Sequence, residues 1–174
     1  MSFFKSAALL LTAGAVSGCS SLAPMVGWEL VRRGSTTMLE YQRIRPTNTV
    51  HFGDASVKAV CIEYNRDMPL DELVPALQAE LKTQGVVSRV YDAGTAQRDC
   101  DHWLRYAGSI GWGVPPFGEQ HHAYLSTATL SLHRADGRLL SSSAYGGDSA
   151  LSRWASTRKK IAPVVKALIT GFET

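Results

Sequence analysis

The stretch YLSTATLSLHRADGRLLSSSAY, residues 124–145, decides the fold. Tyr124, Ala128, Leu130 and Leu132 alternate with Thr127, Thr129, Ser131 and His133, the period-two pattern of a strand with one face in the core and one in water. Asp136-Gly137 follows, a dipeptide suited to the positive φ of a tight turn, and Leu139 to Tyr145 returns as the partner strand.

Upstream, Val57 to Tyr64 sets Val57, Ala59 and Cys61 against Val60, Ile62 and Tyr64, so both faces are apolar and a central strand is predicted. Leu70, Leu73, Val74, Leu77 and Leu81 recur at helical spacing, Asp71 and Glu72 favour the positive end of the dipole, and Gly85 is a stop signal. Pro75 fits only if that helix begins around Asp71. Val86 to Tyr91 reads as a second strand ended by Asp92-Ala93-Gly94-Thr95, and His102 to Ile110 as a third, with Cys100 at its entrance. Gly111 to Gln120 holds Gly113, Pro115, Pro116 and Gly118 and is predicted as a loop. At the C-terminus Trp154, Ile161, Val165, Leu168 and Phe172 fall on one helical stripe, with Pro163 requiring a kink or a start nearer Ser156 than Leu151. The order predicts an α+β two-layer sandwich, a four- or five-stranded sheet with two helices on one face.

Location is written at the other end of the chain. Lys5 and the apolar run from Ala7 to Val16 have the charge and length of an export signal, and Val16-Ser17-Gly18-Cys19 ends it as a lipobox. The run is shorter than the roughly 20 apolar residues a spanning helix needs. Cys19 is therefore expected to carry diacylglycerol and an acyl chain such as palmitate, each buried methylene adding about 0.8 kcal/mol of membrane attachment. A plain signal peptide with a chance cysteine, or a frayed apolar N-terminus, is the competing reading. Ser20 follows where, in lipoproteins of Gram-negative bacteria, aspartate is the usual signal for inner-membrane retention, so the outer membrane with the body in the periplasm is expected; inner membrane and cell surface stay open. The expected divisions are a signal peptide over 1–18, lipidated cysteine and tether over 19–27, an N-terminal extension over 28–56 and the folded domain over 57–174.

Removing the signal leaves 156 residues with 17 basic and 15 acidic side chains, enough for one core and no footprint of a nucleic-acid binder. Three cysteines minus the lipidated one leave Cys61 and Cys100 as an even pair in an oxidising compartment, expected as a disulfide. Two buried thiols are the alternative, and a redox pair is disfavoured because no C-x-x-C is present.

These blocks carry a resemblance. Val60-Cys61-Ile62-Glu63, Leu81 to Gly85 leading into Val90-Tyr91-Asp92-Ala93-Gly94-Thr95, Cys100, Tyr124-Leu125-Ser126, Asp136-Gly137-Arg138, Trp154-Ala155-Ser156-Thr157 and Lys160-Ile161-Ala162-Pro163 resemble a family of small proteobacterial outer-membrane lipoproteins over roughly residues 57–172. The resemblance implies the anchor and recurrence of the two inner cysteines, and it supplies no activity. A Trp-Asp pair that usually precedes the Tyr-Leu strand in that family is replaced here by Gly111-Trp112-Gly113 and the Pro-Pro segment, so no role of that aspartate transfers. The outline is also similar to the anticodon-binding-like α/β layer of several envelope lipoproteins, an analogy of shape.

For chemistry, Gly147-Asp148-Ser149 imitates the start of a Gly-Asp-Ser esterase block, but no histidine or second aspartate follows Ser149 to supply its base. Glu119, His121 and His122 are the densest potential metal ligands, with His102 or His133 as possible additions. Adjacent strand histidines point to opposite faces, so solvated residues are the plainer reading and no metal or cofactor is expected. Of the aromatics Trp103, Tyr106, Trp112, Phe117 and Tyr124, Trp112 and Phe117 are the candidates for an exposed contact. Arg153, Arg158, Lys159, Lys160 and Lys166 make the last helix basic, either a solvated face or one meeting anionic headgroups, and Arg158 and Lys159 are taken as partner-binding candidates. The expected function is a non-catalytic interaction or structural module of the envelope, docking on a protein or cell-wall partner and binding no nucleic acid. The alternative is a small-ligand or metal-binding lipoprotein using the 111–122 loop. Polymer hydrolysis is weaker still, since paired carboxylates cannot be located.

Overall fold

The computed structural model describes residues 44–53, 56–95, 100–146, 150 and 152–172. Cys19, the signal and tether, and Gly147-Asp148-Ser149 lie outside the described residues. The elements run β1 Thr47–His51, β2 Ala59–Tyr64, α1 Leu73–Thr83, β3 Val87–Asp92, β4 His102–Gly113, β5 His122–Arg134, β6 Leu139–Tyr145 and α2 Thr157–Thr170. They form the predicted α+β two-layer fold, with two helices on one face of a mixed sheet of six strands ordered β1-β6-β5-β4-β2-β3. The sheet exceeds the expected four or five because Thr47–His51, inside the segment read as an extension, pairs antiparallel with β6.

β2 is an interior strand, parallel to both β3 and β4, which explains its apolar faces. The core is built from Ile62 on β2, Leu104 on β4, Leu125 and Leu130 on β5, Leu77 and Leu81 on α1, and Ile161, Val165 and Leu168 on α2, all fully buried. The Asp136-Gly137 turn closes β5 on β6: Gly137 has φ 89°, and the Asp136 carboxylate accepts from the Arg138 N–H at 2.9 Å. α1 starts two residues later than expected, after Glu72, which leaves Pro75 in the first turn where its missing N–H costs nothing. α2 is capped at its start by Ser156, whose hydroxyl accepts from the Lys159 N–H, and at its end by Gly171 in the left-handed conformation. Trp154 thus precedes the helix, and Phe172, placed on its stripe by spacing, lies beyond the glycine and is exposed.

The Cys61–Cys100 disulfide is formed, with Cα atoms 6.1 Å apart. It joins β2 to the residues entering β4 and closes the loop that contains α1 and β3. Among the described residues no helix is long and apolar enough to cross a membrane.

Candidate functional site

β4 and β5 outrun their neighbours. β6 accompanies β5 only to the pair Ala128↔Tyr145, and β2 accompanies β4 only at Trp103 and Leu104, after which the Asn65 side-chain amide donates to the Tyr106 carbonyl at 2.9 Å. Beyond these points Ser109–Gly113 and His122–Thr127 pair with each other alone, a two-stranded arm that leaves the end of the sheet. The expected loop therefore begins at Val114: Gly111, Trp112 and Gly113 are strand residues opposite Tyr124, Ala123 and His122. Their glycines serve clearance, since a Cβ at Gly111 collides with the Tyr124 ring and one at Gly113 comes within 3.3 Å of Trp154. A bulge between Ser109 and Ile110 bends the arm, and a Cβ at Gly108 collides with the Thr127 carbonyl there.

The end of β4 and the tip of the arm expose apolar and aromatic side chains, while Glu119 to His122 on the return are exposed and polar. Trp112 is 70% exposed, Phe117 52% and Val114 42%. Gly118 N–H closes the tip turn onto the Pro115 carbonyl at 2.9 Å, with Pro116 and Phe117 between them. Phe117 has φ 65° at the position where such turns favour glycine or asparagine, so a bulky side chain is held in a strained conformation and presented outward. Below Trp112, the arm and the Asp67–Glu72 segment enclose an open cleft of about 730 Å³.

The root of the arm is held by a buried amine. Lys160, which the sequence groups with the basic outer face of the last helix, is fully buried. Its ammonium donates to the Leu125 carbonyl at 2.7 Å and the Arg153 carbonyl at 2.6 Å, with the Tyr124 and Tyr145 ring centres 5.4 and 5.6 Å away. Leu125 lies where β6 no longer covers β5, so the ammonium occupies backbone that a strand would otherwise pair. Trp154 packs edge-on against Tyr124 at 5.1 Å, and the Arg153 guanidinium stands 5.7 Å from the same ring. The sequence carries a signal for Lys160: it falls one turn before Val164 and two before Leu168, on the apolar stripe itself.

The other expected site residues disperse. Arg158 is bound to Glu80 at 2.6 Å and Lys159 is half-buried, so with Lys160 inside, the helix carries no continuous free basic face. Glu119, His121 and His122 do not gather as metal ligands: among the described residues no group of three or more His, Cys, Asp or Glu side chains is placed to hold an ion. His102 and His133 sit at the opposite end of the β4–β5 ladder, about 35 Å from His122 by strand rise, and His133 is engaged by Gly137 and Ser131. Tyr106 is core, its hydroxyl accepting from the Asn65 N–H at 3.0 Å; burial pushes that hydroxyl's pKa above 10.0, the Asn65 bond opposing and Tyr64 adding to the rise.

The chain enters the described body at this same end. β1 begins at Thr47 opposite Ala144, beside the Tyr145–Ala128 pair where the arm departs. No family profile and no curated protein sequence matches the chain. Among solved structures it is similar to the PelC dodecamer from Paraburkholderia phytofirmans, at 17% identity and TM-score 0.41 over 71% of this chain and 98% of that one. It is likewise similar to a single-residue variant of that dodecamer, at 18% identity and TM-score 0.43 over 74% and 98%.

Proposed function

We propose that this protein is a lipid-anchored envelope lipoprotein, modified at Cys19 after removal of residues 1–18, whose periplasm-facing domain acts by docking and not by turnover. The observation that carries the reading is the β4–β5 arm: Trp112, Val114 and Phe117 stand exposed on an element rooted by buried contacts, with Phe117 at φ 65° in the tip turn. The lipobox supplies the anchor, and the outer membrane is the favoured location because Ser20 is not aspartate.

The partner is an envelope protein or cell-wall component, and the first contacts are Trp112 and Phe117, with Arg158 and Lys159 secondary because Glu80 already engages Arg158. Mass spectrometry of the N-terminal peptide should find diacylglycerol on Cys19, and Cys19→Ala should stay uncleaved or be released from the membrane. Photocrosslinkers at Trp112 and Phe117, compared with one at Arg158 in living cells, should capture a specific partner from the arm. Capture from Arg158 alone, or labelling of lipid alone, contradicts docking through the arm. Turnover of peptidoglycan or lipid by the protein, abolished by one side-chain change, contradicts the non-enzyme reading.

A further inference from the structure

The two edges of the sheet are built differently. β1 is five residues long, carries Asn48 at φ 52° and shifts register between Thr47 and Val50, irregularities that blunt an edge against further pairing. β3 is six residues in unbroken register with β2, contains no proline, and exposes Val87 at 66% and Val90 at 38%. No strand among the described residues pairs with its outer side. The Val87 N–H donates inward to the Lys58 carbonyl at 2.9 Å, so by strand alternation residues 87, 89 and 91 bond toward β2 while Ser88, Val90 and Asp92 point their N–H and C=O groups outward.

We propose that β3 pairs antiparallel with β3 of a second copy of this chain, about a two-fold axis through Val90, joining two sheets into one. Self-complementarity selects the occupant and the register. With Val90 opposite Val90, the outward-facing residues fall in hydrogen-bonded pairs, Val90 with its own copy and Ser88 with Asp92 in both directions. Between them Arg89 lies opposite Tyr91 on the face away from the helices, a cation over an aromatic ring that already leans on Trp103 at 6.1 Å. Sliding by one residue per strand in one direction sets Arg89 against Arg89, a like-charge clash; sliding the other way sets Val90 against Asp92. The inference is independent of lipidation at Cys19 and of the arm, which lies at another border of the sheet.

The test uses the full-length chain in mild detergent, oxidised with copper-phenanthroline and analysed by non-reducing gel and peptide mapping. Val90→Cys is expected to give a dimer disulfide-linked through position 90 of both copies, Val87→Cys to remain monomeric, and a mixture of Val87→Cys with Ala93→Cys to cross-link with each other. Adding Ser88→Pro to Val90→Cys removes one outward N–H without touching the bonds to β2, and should lower the dimer yield at least ten-fold while the Cys61–Cys100 bond stays intact. Equal cross-linking from residues 87 and 90, or none from residue 90 in a chain that retains its native disulfide, overturns the proposal.

Discussion

One strand behaves as two. In its first half β4 buries Leu104 and Tyr106 in the core, and it is flanked by β5 on one side and by β2 and then Asn65 on the other. Further along, the same strand carries Trp112 at 70% exposure with only β5 for company. Both halves pair with β5, and what separates them is the second neighbour, which β2 gives to the first half alone. Without that neighbour the second half projects as an arm, and its root is fixed by Lys160, Tyr124 and Trp154. Aromatics that stabilise the body and aromatics that are displayed therefore sit on one continuous element.

Substitutions at each end should separate along this line. The largest effect belongs to the rooted half: replacing Cys61 and Cys100 by serine frees the loop between them and should lower stability by about 4 kcal/mol in the chain-entropy model, read from denaturant melts. Leu130→Ala, in the fully buried floor that β5 gives the core, should cost about 3 kcal/mol through the cavity it leaves. A loss as small as that of a surface change would place Leu130 outside the core.

These core effects follow from elements that are legible in the sequence. The hairpin, the apolar strand at Val60 and Ile62, both helices and the disulfide can all be placed by periodicity, turn chemistry and cysteine parity. The arm cannot, because Gly111 and Gly113 are strand residues whose missing side chains make room for Tyr124 and Trp154, and a clearance glycine looks the same in sequence as a loop glycine. Lys160 is misplaced when charge is read before position: its spacing from Val164 and Leu168 puts it inside, while its neighbours Arg158 and Lys159 make the segment look like a solvated face. β1 is illegible for a third reason, since five residues with Asn48 at positive φ carry too little alternation to be read as a strand.

Smaller effects sharpen the contrast. Phe117→Gly removes the strain of a bulky residue at φ 65° and should raise stability by about 1 kcal/mol while weakening partner capture, which is the signature of a residue kept for contact. A fall in stability would make Phe117 structural. Smaller still is the titration of Tyr106. Because burial raises its folded pKa above the unfolded value of 10.0, the folded state holds its proton more tightly; that contribution is complete below pH 10 and declines as pH rises beyond it toward the folded pKa. Comparing melts of the protein and Tyr106→Phe between about pH 9 and 11 should show a steeper alkaline loss in the protein with the tyrosine.

The separation of display from stability is tested most directly by Trp112→Ala combined with Phe117→Ala, measured for melting and for in-cell photocrosslinking from a probe at Val114. The expected result is a melting curve no lower than that of the unsubstituted protein, unchanged membrane attachment and at least a ten-fold loss of the specific cross-link. Unfolding comparable to Leu130→Ala, or an undiminished cross-link from a folded protein, would contradict it.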